Sequence, residues 1–162
     1  MRITVNSRII AEVMMQPVVL VPAVGACEIM FPLRVRVPRS ETEQYEATIY
    51  GAQVKICPST GGEHKLGFAR FEVPLRLQPK NDEITESSTL SLMLLPNQVN
   101  VIEDIRAAGD LTFELVISGE CKEEKYRHRI YDTWRVSATT RIKLIIPQAR
   151  VANRTTRGPK QS

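Results

Sequence analysis

In Ile29-Met30-Phe31-Pro32-Leu33-Arg34-Val35-Arg36-Val37 every second residue is a large apolar one, and Met30, Pro32, Arg34 and Arg36 stand between them. Successive side chains of a strand point to opposite faces, so this stretch has one apolar face and one that carries charge and a proline. It is a half-buried strand. The same alternation recurs at Phe71, Val73, Leu75 and Leu77, at Leu90, Leu92 and Leu94, at Leu111, Phe113, Leu115 and Ile117, and at Ile142, Leu144 and Ile146. Weaker strands are expected over 3–10, 18–21, 48–56 and 133–138. Mid-strand positions on these apolar rows, Phe31, Val35, Phe71, Val73, Leu92, Phe113 and Leu115, are the expected core.

Proline cannot donate to a ladder, so Pro32 and Pro74 place their strands at sheet edges or bulges. Two such strands favour open sheets over a closed barrel. One stretch breaks the pattern: Val99, Ile102 and Ile105 recur at a spacing of three between Pro96 and Gly109. That predicts a short helix, about 97–108, with Pro96 at its start, Gln98 reaching back to a free amide and Gly109 just past its end. The helix caps one end of the sheets or hides a sheet edge. Many strands, one helix and no strand–helix alternation predict an all-β, two-sheet antiparallel β-sandwich over residues 1–147.

Residues 148–162 read as a disordered basic tail, poor in apolar side chains. The net charge of +4 lies there: Arg150, Arg154, Arg157 and Lys160 have no acid among them, and the remaining basic residues equal the acidic ones in number. A neutral body with such a tail implies at most weak, salt-sensitive attraction to nucleic acid. Cys27, Cys57 and Cys121 are an odd number at wide spacing, which points to free thiols and a cytoplasmic setting rather than a disulfide framework. The segment from Ile9 to Cys27 ends Val24-Gly25-Ala26-Cys27, like a lipoprotein cleavage site, but Glu12, Gln16, Pro17 and Pro22 interrupt its apolar run. Ordinary strands are the simpler expectation, and no stretch has the apolar length of a membrane-spanning helix.

Leu90-Ser91-Leu92 through Pro96, then Ile102-Glu103-Asp104-Ile105-Arg106, Gly109-Asp110-Leu111 and the strand to Gly119 resemble an uncharacterised group of prokaryotic proteins with an amino-terminal β-sandwich. In that group a short helix ending in arginine and a Gly-Asp-Leu turn precede a strand, and a strand ending Ile-Pro-Gln leads into a helical carboxy-terminal half. Ile146-Pro147-Gln148 matches; Ala149 and the basic tail depart from it, and the helical half is absent here. The resemblance implies a sandwich and no known activity.

Motifs for chemistry are sparse. Cys57 and His64, like Cys121 and His128, lie seven positions apart, and two cysteines with two histidines can hold zinc; known zinc fingers use closer pairs. No metal or other cofactor is expected. Cys121, His128 and Asp132 have the residue types of a nucleophile, base and orienting acid, yet they sit in a densely charged hairpin. Ser59-Thr60-Gly61-Gly62 is not followed by the Lys-Ser or Lys-Thr pair of a phosphate cradle, and Glu41, Glu43 and Glu46 lack the glycine and alternate spacing of a calcium loop.

Arg34, Arg36, Arg70 and Arg76 stand on polar strand faces and would form a basic stripe if their strands pair, diluted by Glu28 and Glu72. Trp134, the only tryptophan, is a core aromatic or a ligand platform. These five are the candidate binding residues. The leading expectation is a non-catalytic interaction module that binds another protein through a sheet edge or face. A nucleic-acid-associated protein using its tail, and a cysteine-dependent enzyme, are the alternatives.

Overall fold

The computed structural model describes residues 1–23, 26–40, 44–137 and 143–144. The expected tail, and the flanks of the Ile142–Ile146 row, lie outside the described residues. Two strands replace the one expected over 3–10. β1 (Arg2–Val5) and β2 (Arg8–Met15) are joined by Asn6 and Ser7, whose φ values are 49° and 63°. Two left-handed residues in succession make the tight turn whose twist matches that of a hairpin.

The Ile29–Val37 row lies within β4 (Ala26–Val37), the hub of the sheet. One side of β4 is shared by β2, whose Glu12–Met15 face Leu33–Arg36, and by β3 (Val19–Ala23), which faces Ala26–Met30. On its other side β7 (Ile84–Leu94) pairs with it from Cys27 to Val37. β5 (Glu46–Pro58) lies between β6 (His64–Leu77) and β8 (Leu111–Glu123), and β9 (Tyr126–Ser137) pairs with β8. β10 (Lys143–Leu144) runs parallel to β3. Cys27 is thus a buried residue of β4.

These strands form one ladder in the order β1-β2-β4-β7-β6-β5-β8-β9, with β3 and β10 branching from β4. The fold is all-β and mostly antiparallel, as expected, but the sheet is a nearly closed, flattened barrel rather than two separate sheets. Its ends meet where β1 approaches β9. No backbone ladder joins them; instead Thr4 N–H donates to Asp132 Oδ2 at 3.1 Å, and Asn6 Nδ2 lies 3.4 Å from His128 Nδ1. Side chains close the seam.

Pro32 occupies a central strand without breaking it. Its carbonyl accepts from Gln16 N–H at 2.9 Å, so its backbone faces the gap where β2 has ended and β3 has not begun. The donor that proline lacks is needed least there. Pro74 sits at a bulge, as expected: pairing jumps from Ile49–Leu75 to Gly51–Arg70, so four residues of β6 oppose one of β5. The bulge overturns one core assignment, because Val73 is turned outward and 74% exposed. Phe31, Val35, Phe71, Phe113 and Leu115 are buried, and Leu92 packs half-buried against them. Phe31 and Phe113 meet edge to face across the interior, with ring centroids 5.3 Å apart.

The single helix of the described residues, α1 (Pro96–Ala108), has the expected ends. Gln98 Oε1 accepts from Leu95 N–H at 2.9 Å, and Gly109 N–H donates to Ile105 O at 3.1 Å. Ile102 is buried in the core while Val99 and Ile105 lean on it. Gln98 Nε2 also donates to Leu66 O at 2.9 Å, which ties the helix to β6.

Candidate functional site

β6 and β7 are neighbours in the ladder but pair only at Arg70–Ser91 and Phe71–Leu90. Beyond that joint they part: β6 continues along β5, and β7 continues along β4. From Ile84 to Thr89 one side of β7 therefore has no strand partner among the described residues. The alternation of backbone groups identifies which of its atoms are free. Because Pro32 faces β2 and β3, Leu33, Val35 and Val37 aim their N–H and C=O groups at β7. Their partners Ser88, Glu86 and Ile84 answer them, and Thr85, Ser87 and Thr89 aim their own groups away from the sheet. These six donors and acceptors form an open edge.

On the outer face the same three residues continue rows that start on β4, since Thr85 is opposite Arg36, Ser87 opposite Arg34 and Thr89 opposite Pro32. Arg36 is neutralised by carboxylates on both sides: Glu12 on β2 and Glu83, the latter at 2.9 Å. The guanidinium holds the Glu12 carboxyl below the usual carboxylate range, and the carboxylates push Arg36 further up. Arg34 is exposed and forms no ion pair among the described residues. Arg34 and Arg36 also line a shallow outer groove with Met1, Arg2, Glu12 and Met14.

Arg70 stands where the edge ends, opposite Ser91, with its guanidinium carbon 5.5 Å from the Phe68 ring centroid. Arg76 is exposed on the departing part of β6, opposite Thr48. Since β4 and β6 do not pair and β7 lies between them, the four arginines do not form a stripe. Arg34 instead lies opposite Ser87 on the paired flank of β7, and Arg70 opposite Ser91 on the other flank, where β6 ends the free edge. Trp134 lies inside the barrel, 2% exposed and opposite Leu115, with its indole Nε1 lacking a hydrogen-bond partner.

The thiols are placed differently. Cys121 is buried and directly opposite His128 across the β8–β9 hairpin, while Asp132 is occupied by Thr4 N–H. Burial, and then the Glu123 carboxylate, push the Cys121 thiol up. Nucleophilic thiols are depressed, not raised. Burial raises Cys27 and Cys57 as well. Cys57 is opposite Thr112 on β8, nine residues from Cys121, so the two cysteine–histidine pairs stand about 30 Å apart and cannot share an ion. Among the described residues no group of three or more metal-ligating side chains gathers.

A thiol that is buried and raised resists alkylation. At pH 8, Cys27 and Cys121 should react with iodoacetamide at least about tenfold more slowly in the folded chain than in urea. Mass-spectrometric counting of labelled sites over time measures this. Rapid labelling of Cys121 in the folded chain would show an activated thiol and would revive the enzyme reading.

No family model matches the chain, and no curated protein matches it in sequence. Among solved structures, a protein from Archaeoglobus fulgidus aligns at 13% identity over 83% of this chain and 97% of its own, with a TM-score of 0.42. An X-ray structure of a Northeast Structural Genomics Consortium target aligns at 14% identity over 80% of this chain and 86% of its own, with a TM-score of 0.40. At that level of likeness neither speaks to the chemistry of this chain. No helix of the described residues is long and apolar enough to cross a membrane.

Proposed function

We propose that this chain is a non-catalytic interaction module that takes up a segment of another protein along the free edge of β7. One observation carries the reading: Thr85, Ser87 and Thr89 present backbone donors and acceptors that no strand of the described residues meets. Such an edge is a template for strand addition, in which main-chain hydrogen bonds give affinity and alternate side chains give selectivity. The positions of Cys121, His128 and Asp132 weigh against the cysteine-dependent alternative at this hairpin, because each is committed to the interior or to the β1–β9 seam.

Ser87→Pro tests the edge without disturbing the sheet. The Ser87 N–H points away from β4, so its loss should change stability by less than about 1 kcal/mol. Ser88→Pro, one residue on, removes a bond to β4 and should cost about 1–3 kcal/mol. In the free chain, the amides of Thr85, Ser87 and Thr89 should exchange with solvent roughly a hundredfold faster than those of Glu86 and Ser88. With a partner protein bound they should become protected, and Ser87→Pro should abolish that binding. A partner that leaves these amides unprotected and binds Ser87→Pro as well as the parent would overturn the proposal.

A further inference from the structure

We infer that the outer groove over β1, β2 and β4 is a binding site for a small phosphate monoester with an apolar substituent. The inference goes beyond the edge-binding reading and does not rest on it. The pairing register puts Arg2, Glu12, Arg36 and Thr85 in one row across β1, β2, β4 and β7, and Met14 and Arg34 in the next row. Alternation turns all six to the outer face of the sheet. Together they line a groove of about 360 Å³, a volume that suits a small ligand.

Charge decides the class of ligand. Three guanidinium groups meet the carboxylates of Glu12 and Glu83 around the groove, and both carboxylates bond to Arg36. Arg2 and Arg34 are exposed and form no ion pair among the described residues. Arg2 acts on the Glu12 carboxylate only through space, more weakly than the bonded Arg36. The two uncompensated arginines are two strands apart across the sheet and two residues apart along it, so their Cα atoms are about 12 Å from each other. Two arginine side chains can converge over that distance on one phosphoryl group, each offering it a fork of N–H donors. A phosphate monoester carries nearly two negative charges at neutral pH and answers both cations, whereas a carboxylate or a phosphodiester answers one.

Met14 sets the other half of the ligand. It is 64% exposed directly opposite Arg34, a large apolar side chain on an otherwise charged and polar face. A ring or alkyl group attached to the phosphate would cover it, and the flexible, polarisable thioether of methionine suits an aromatic ring. A long polyanion fits less well, because it needs a continuous track of cations. Arg70 and Arg76 lie on β6, beyond β7, and do not extend the groove.

The test titrates the full chain with phenyl phosphate, inorganic phosphate and diphenyl phosphate, and follows the arginine side-chain and methionine methyl signals by NMR. Phenyl phosphate should bind at millimolar concentration or below and shift the signals of Arg2, Arg34 and Met14. Arg2→Gln and Arg34→Gln, both on the outer face and neutral to folding, should each weaken it at least about tenfold, while Arg76→Gln should not. Met14→Ser should weaken phenyl phosphate and leave inorganic phosphate unchanged. Diphenyl phosphate, with more apolar surface and one charge fewer, should bind more weakly than phenyl phosphate; equal binding would overturn the assignment of a dianion. A capped phosphotyrosine peptide separates a free ester from a phosphorylated protein, and tighter binding of the peptide than of phenyl phosphate would overturn the small-molecule assignment. Shifts spread evenly over all the exposed arginines, parent-like binding by Arg2→Gln and Arg34→Gln, or no binding at millimolar concentration would each overturn the site itself.

Discussion

Phe113→Ala should lower the stability of this domain by about 3–5 kcal/mol, a large share of the roughly 5–15 kcal/mol that a folded domain has. Phe113 is fully buried mid-strand in β8, and its ring meets Phe31 edge to face across the barrel. Truncation removes the transfer free energy of the ring and the aromatic pair, and leaves a cavity between walls that cannot collapse together. Those walls are β4, which is paired on both sides, and β8, which is held by β5 and β9. Phe113→Leu keeps most of the volume and should cost clearly less. Urea unfolding of the three chains measures the difference. Equal midpoints for the parent and Phe113→Ala would mean that this ring is not in the core.

Phe113 belongs to the part of the fold that the sequence makes legible. β4, β7 and β8 are long strands with one buried face, and period-two alternation reports that directly. Val73 was not legible in the same way. It continues the row of Phe71 and Leu75, but the jump from Ile49–Leu75 to Gly51–Arg70 turns it to solvent. Pro74 signalled a bulge without saying which side chain it would expel. Asn6-Ser7 was a readable turn signal, since the pair suits a tight hairpin, and it was masked by the apolar residues on either side.

Closure was the least legible feature, for a physical reason. The seam between β1 and β9 depends on contacts such as Thr4 with Asp132, residues far apart in the chain that no local pattern links. Pro32 then argued for open sheets on a correct rule applied to the wrong geometry. One flank of β4 is divided between two short strands, and the proline faces the space between them. Of the candidate site, the sequence placed Arg34, Arg36, Arg70 and Arg76 on outward faces. Whether a given arginine is neutralised depends on which strands become neighbours, and so Arg36 and Arg34, two residues apart, differ.

The second large effect should come from adding a single methyl group. Gly51→Ala is expected to cost about 3 kcal/mol, the upper end for overpacking a sheet. Gly51 lies beside the bulge, opposite Arg70 on β6 and Ser118 on β8. A Cβ there would fall 2.1 Å from the Ala69 carbonyl oxygen and 2.7 Å from Phe68 Cε1. The nearest obstacle is backbone, so no rotamer change relieves it; β5 and β6 must separate. Gly119, opposite Ile49 on the other flank of the bulge, is restricted in the same way, with a Cβ 2.3 Å from the Thr48 carbonyl oxygen. Because both substitutions push on one bulge, the double variant should cost less than the sum of the two. Ser118→Ala, in the same row but with a side chain already accommodated, should stay within about 0.5 kcal/mol of the parent. Parent-like unfolding of Gly51→Ala would show that β5 and β6 do not approach as closely as the bulge requires.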